Sequence, residues 1–228
     1  MKKFLFTATL AVIACFTASA QLVQSTMFNE QKKEKNTMWF LRVGMAMNNY
    51  TQTDDFEPDG MGAKVGYDFS VGFHKPIADF GMYWGMEFGL GTRGYKQSYE
   101  EKDVDYSYKE SMLTHNVKIS PITLGYKYAV TDFLKIDAHI GGYVSYDYAG
   151  KLKVEEEYQG SSNDEDVSLS DFENYNSFDA GMQVGVGLWF DRFNLDFTYQ
   201  RGFIGIYDIS NFDSPRSSNF MIRLGVAF

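Results

Sequence analysis

From residue 38 to the end of the chain, bulky apolar side chains fall on every second position, the period of a β-strand and not of a helix. In the first segment Trp39, Leu41, Val43, Met45 and Met47 interleave with Phe40, Arg42, Gly44 and Ala46. The second sets Val65, Tyr67, Phe69, Val71 and Phe73 against Gly66, Asp68, Ser70 and Gly72, and the third sets Trp84, Met86, Phe88 and Leu90 against Gly85, Glu87, Gly89 and Gly91. A fourth, near 113–128, changes phase at Ser120-Pro121, from Val117 and Ile119 to Ile122, Leu124 and Tyr126, which predicts a bulge at the proline. The fifth sets Leu134, Ile136, Ala138, Ile140, Val144 and Tyr146 against Lys135, Asp137, His139, Tyr143 and Ser145. The sixth (Phe178 to Leu188), the seventh (Phe193 to Tyr199) and the eighth (Phe220 to Phe228) repeat the pattern.

Alternating segments of about 9 to 11 residues match the length a tilted strand needs to cross a bilayer. The connections alternate as well. Those around His74 to Phe80, Val130 to Phe133 and Asp191-Arg192 are brief, and the others are long and polar. Short periplasmic turns and longer outer loops produce this rhythm, so the pattern predicts an all-β fold, an eight-stranded antiparallel up-and-down transmembrane barrel with both ends on the periplasmic side.

A secreted sandwich also alternates, and the polar face discriminates between the two. Solvent-facing sheet positions favour Thr, Lys, Glu and Arg, whereas this face carries Gly66, Gly72, Gly85, Gly89, Gly91, Gly181, Gly185, Gly187 and Gly225, which weaken an exposed strand for no return. Inside a narrow barrel small residues must alternate with the few large ones. The charges on that face, Arg42, Arg223, Lys118 and Lys135 against Asp68, Glu87, Asp137, Asp179 and Asp196, are then expected to pair within the lumen as a structural plug. Trp39 and Trp84 fall at predicted inner strand ends and Tyr148 near an outer one, where interfaces favour aromatic rings.

The N-terminus adds an address. Lys2 and Lys3, an apolar run from Phe4 to Phe16 and Ala18-Ser19-Ala20 before Gln21 have the layout of a secretory signal peptide. Residues 1–20 are read as that signal, 21–37 as a periplasmic lead and 38–228 as the barrel domain. Val12-Ile13-Ala14-Cys15 also fits the box before a lipidated cysteine. With cleavage after Ala20 the mature chain has no cysteine, hence no disulfide or thiolate chemistry. Aromatic residues at 17%, 21 glycines and only 4 prolines suit a β-rich fold. The net charge of −9, or −11 once the two signal lysines leave (19 basic against 30 acidic residues), argues against nucleic acid as a partner.

The last residues, Phe220 to Phe228, end on an aromatic ring and resemble the C-terminal signal read by the barrel-assembly machinery. Three further stretches, Gly89-Leu90-Gly91-Thr92-Arg93-Gly94-Tyr95-Lys96, Val117-Lys118-Ile119-Ser120-Pro121-Ile122-Thr123-Leu124, and Phe178 to Gly187 running on to Tyr199-Gln200-Arg201-Gly202, resemble the PorT-type outer-membrane β-barrel proteins common in Bacteroidetes. The resemblance implies a barrel in the cell outer membrane. It implies function only broadly, since such families include secretion components.

No catalytic, cofactor-binding or metal site emerges, and the expectation is a non-enzymatic barrel without cofactor. Its partners are expected to be outer-membrane lipid, lipopolysaccharide and other envelope proteins. Two candidates for chemistry stand against that reading. Asp54, Asp55, Glu57 and Asp59, and the 151–175 set of Glu155, Glu156, Glu157, Asp164, Glu165, Asp166, Asp171 and Glu173, offer carboxylates for Ca²⁺ or Mg²⁺ but lack the EF-hand pattern. His115 with Ser111 and Glu110 is the alternative, a lipid A-modifying acyl-transfer site of the outer leaflet. His74 and His139 lie too far from that leaflet to serve it. Eight strands leave a side-chain-filled lumen, so an open pore is not expected.

Overall fold

The computed structural model describes residues 37–51, 53, 60–77, 80–101, 106–158, 161–171, 174–210 and 213–228. The expected signal peptide and nearly all of the lead, the acidic run Asp54 to Asp59 and Glu173 lie outside the described residues. Among the described residues nine strands follow one another: β1 Met38–Tyr50, β2 Lys64–Pro76, β3 Met82–Glu101, β4 Tyr106–Ala129, β5 Leu134–Tyr158, β6 Ser161–Ser168, β7 Phe178–Phe190, β8 Phe193–Gly205 and β9 Arg216–Ala227. Each pairs antiparallel with its neighbours, and the order β4-β3-β2-β1-β9-β8-β7-β5 closes on itself because β4 also pairs with β5. Eight strands form the ring. β6 stands outside it, paired with the far end of β5 from Lys151↔Ser168 to Tyr158↔Ser161.

Burial is inverted relative to a soluble protein. Arg42, Asp68, Ser70, Glu87, Lys118, Asp137, His139, Asp179, Asp196 and Arg223 are buried, while Val43, Val65, Phe88, Ile140, Met182, Val186 and Leu224 are exposed on the outside of the ring. The expected faces are therefore the observed ones. The inward glycines make room for large side chains: a Cβ on Gly125 would lie 2.3 Å from the Tyr83 ring, and one on Gly185 would lie 2.4 Å from His139 Nε2. At the end bearing the short turns, Trp39, Phe73 and Trp84 form an outward-facing row with ring centroids 5.3 and 5.2 Å apart, the aromatic belt of a membrane interface.

The expected bulge is present. Register shifts between Ile119 and Ile122, and Pro121 and Ile122 both face outward between buried Ser120 and Thr123. A second bulge lies in β5, where His115↔Ala149 is followed by Asn116↔Asp147 and the extra residue Tyr148 faces out beside Ala149. Of the expected connections, 191–192 is a tight turn with Asp191 at φ 52°. One expectation needs correction. Residues 151–175 are not a loop throughout, because β5 runs on to Tyr158 and returns as β6, so that much of the acidic segment is a β-hairpin rising beyond the ring.

The lipid-facing assignment yields a direct test. Val43 is 54% exposed and flanked on the same face by Phe69 and Leu224. Val43→Arg, placed near mid-membrane, is expected to cost about 2–4 kcal/mol in reversible unfolding from lipid vesicles. An unchanged midpoint would contradict the assignment.

Candidate functional site

Two surfaces of such a barrel can act: the lumen, if it conducts or reacts, and the outer rim. In the lumen three cations and three carboxylates form a central group. Arg223 sits at its centre, with Nε and Nη2 donating to Asp196 Oδ1 at 2.9 and 2.6 Å and Nη1 donating to Glu87 Oε1 at 2.6 Å and Asp68 Oδ1 at 3.2 Å. Arg42 Nη1 donates to Glu87 Oε2 at 2.9 Å, its Nε donates to Asn194 Oδ1 at 2.9 Å, and Nη2 lies 3.7 Å from Asp196. Lys118 completes the set on Asp68. Three cations thus meet three carboxylates, drawn from β1, β2, β3, β4, β8 and β9, which ties the ring together across its diameter.

Of the expected network, Asp137 and Asp179 hold other partners. Asp137 accepts hydrogen bonds from the Tyr83 hydroxyl at 2.9 Å and Trp189 Nε1 at 3.2 Å and lies 3.2 Å from His139 Nδ1. Asp179 lies 3.4 Å from Arg93 and accepts from the hydroxyls of Tyr143 and Ser217. Lys135 is half-buried at a strand end and is not one of the three central cations.

Both mouths of the lumen are closed. At the short-turn end His74 stacks on Tyr83 with centroids 4.0 Å apart, Phe40 lies under the Arg42 guanidinium at 4.3 Å, and the Lys127 ammonium sits 4.7 Å from the Trp189 ring. At the other end inward positions turn apolar: Tyr50, Tyr95, Met112 and Ile206 pack as a buried cluster against Leu152, Leu169, Tyr175 and Tyr207. Just below it Arg93 is clamped by Asp147 at 2.8 Å and by the Asn176 carbonyl at 3.1 Å. The void beside Arg42, Glu87 and His139 holds only about 10 Å³, room for a single water. Among the described residues, no open path crosses the barrel.

The outer rim separates the sequence candidates. Ser111 and His115 both face outward on β4, but they are four residues apart along a strand, roughly 13 Å. Ser111 Oγ receives Lys64 Nζ at 3.3 Å, and His115 Nδ1 pairs with the Tyr67 hydroxyl at 3.2 Å. Glu110 points to the other face, where it accepts from Tyr95, Tyr108 and Gln97. The three do not converge, and no nucleophile–base contact forms among them. The described acidic residues also stay dispersed: no three His, Cys, Asp or Glu side chains among the described residues gather as a metal-ligand set. Glu155, Glu156, Glu157, Asp164, Glu165 and Asp166 stand exposed on the β5–β6 hairpin, with Glu155 directly opposite Asp164.

The lumen group predicts a large response to losing its central cation. Arg223→Met leaves Asp68, Glu87 and Asp196 with too few partners and is expected to destabilise the barrel by about 3–5 kcal/mol. Arg223→Met with Asp196→Asn, which leaves two cations against two carboxylates, is expected to recover part of that loss. Unfolding of each variant in lipid vesicles checks both, and a neutral Arg223→Met would contradict the network.

The match to a known protein family agrees with this geometry. The family described as "Outer membrane protein beta-barrel domain" matches over residues 24–208. No curated protein sequence matches. Among solved structures, the outer membrane protein OprG from Pseudomonas aeruginosa is 12% identical, covering 87% of this chain and 99% of its own at a TM-score of 0.40. Neisserial surface protein A is 13% identical over 83% and 97%, with a TM-score of 0.37. Ail, the attachment invasion locus protein of Yersinia pestis, is 15% identical over 85% and 99%, with a TM-score of 0.34. With most of its length matched by the family and its strands closed around a polar interior, the chain belongs to the outer-membrane protein β-barrel domain family and is a protein of the cell outer membrane.

Proposed function

We propose that the protein is a non-conducting outer-membrane scaffold that works through contacts of its extracellular face, chiefly the acidic β5–β6 hairpin, with a cationic surface of another envelope protein. The observation that supports this most is the hairpin itself. It stands outside the closed ring, exposes Glu155, Glu156, Glu157, Asp164, Glu165 and Asp166, and sets Glu155 against Asp164. Like charges directly opposite destabilise a strand pair, so a cationic partner would relieve a repulsion that the chain alone retains. The sealed lumen supports the non-conducting part of the reading. We further assign the chain to the PorT-type barrels, on its glycine-spaced strands and the Ser120-Pro121 bulge, and secretion or transport assemblies are then one class of partner. A lipid A-modifying activity has less support, since Ser111, His115 and Glu110 stay apart.

Two measurements test the reading. Planar-bilayer recordings are expected to show no large steady conductance, and a stable open channel would overturn the scaffold role. Replacing residues 154–165 by Asn-Gly, so that Lys153 and Asp166 become the ends of a tight hairpin, is expected to preserve the barrel and abolish crosslinking to partner proteins in intact membranes. An unchanged set of crosslinked partners would remove the hairpin from the interaction.

A further inference from the structure

A cleft of about 680 Å³ opens on the outer wall of the barrel where β4 and β5 leave the membrane. Its β4 side is made by Ser111, Leu113 and His115, which alternate with the buried Met112, Thr114 and Asn116 and so look away from the lumen. Lys64, Lys151 and Lys153 also line it, three cations on a chain whose net charge is −9. Leu113, Leu169, Tyr146 and Tyr148 supply an apolar side. Nothing in the scaffold role uses these residues.

The height of the cleft matters as much as its composition. Val65 and Tyr67 on β2 and Tyr146 on β5 are 58, 40 and 54% exposed and belong to the wall that meets lipid. The His115 ring stacks beside Tyr67 at 5.8 Å, with Tyr148 at 6.4 Å on its other side, and such aromatic rings mark the level where hydrocarbon gives way to headgroups. Ammonium groups reaching across that level face the anionic groups of the outer leaflet. Among the described residues Lys151 and Lys153 lie 4.0 and 3.8 Å from the exposed Asp166 carboxylate, and exposed pairs of this kind contribute little. Lys64 is steadied by Ser111.

We propose that this cleft binds the phosphorylated headgroup of an outer-leaflet glycolipid, with Lys64, Lys151 and Lys153 on the phosphate and the Leu113–Tyr148 side against the start of its acyl chains. A soluble polyanion would have no use for that apolar side or for a position at membrane level. The site lies below the hairpin tip and does not depend on it, so the 154–165 replacement keeps all three lysines and leaves this binding intact.

The test is native mass spectrometry of the refolded full-length mature barrel released from detergent micelles containing lipid A. Wild-type protein is expected to retain bisphosphorylated lipid A and to release lipid A stripped of phosphate. A basic side chain near an anionic membrane surface strengthens attachment roughly fivefold, so Lys64→Gln/Lys151→Gln/Lys153→Gln is expected to lower retention on the order of 100-fold. Unboiled gel mobility checks that the variant is folded, and the phosphate-free arm needs no variant. Equal retention of both lipid A forms would overturn the proposal, as would a folded triple variant that binds like wild type. Complete displacement of lipid A by millimolar inorganic pyrophosphate would overturn the glycolipid assignment by reducing recognition to phosphate alone.

Discussion

Hydrocarbon offers no hydrogen-bonding partner to a peptide group, so every N–H and C=O that crosses it must be satisfied by another strand, and a sheet in lipid must have no free edge. The β4–β5 ladder, which joins the two ends of an otherwise open sheet, meets that demand here. Once the ring is closed, the remaining features follow from its two faces. The outer face must be apolar, and the enclosed one must satisfy its polar groups internally because bulk water does not reach them. Arg223, bridging Asp68, Glu87 and Asp196, is the point at which the second demand is met most fully.

That solution shapes what the protein can do. Three cations and three carboxylates at the centre, with His74–Tyr83 and Tyr50–Tyr95–Met112 packed at the two mouths, leave little free volume in the lumen among the described residues. The proposed role therefore rests on the rim. There the chain divides its charge: carboxylates line the β5–β6 hairpin, and Lys64, Lys151 and Lys153 line the cleft beneath its tip. An anionic leaflet repels the first and attracts the second, which suits the proposed division between hairpin contacts and lipid binding at the wall.

Much of this was legible in the residues because lipid imposes a strict period of two. The outward rows, the Pro121 slip and the central partners Arg42, Arg223, Lys118, Asp68, Glu87 and Asp196 all follow from that period. What escaped lies where the period breaks or the solvent changes. Arg93 keeps the inward parity of Glu87, Gly89 and Gly91 but lies beyond Gly91, where the apolar row that marks the third strand ends. Lys127 follows the reset phase after Pro121, inward beside the outward Tyr126, at the strand's end where it joins the aromatic inner mouth. The cap of Tyr50, Tyr95, Met112 and Ile206 reverses the rule itself, since above the bilayer apolar groups turn inward as in a water-soluble protein. The β5–β6 hairpin was hidden by composition, because Glu, Asp and Ser are poor strand formers. The acyl-transfer set failed on face parity: Glu110 is one residue from Ser111 and therefore points the opposite way.

The chain's three tryptophans report on both faces at once. Trp39 and Trp84 lie on the lipid side of the inner aromatic belt, and Trp189 lies in the lumen with its indole N–H on Asp137. Single-tryptophan variants refolded into vesicles of brominated lipid are expected to show strong quenching of Trp39 and Trp84 and little quenching of Trp189. Quenching of Trp189 as strong as that of the other two, or none at Trp39 and Trp84, would contradict a barrel that keeps its charges inside and its bulky apolar rows in lipid.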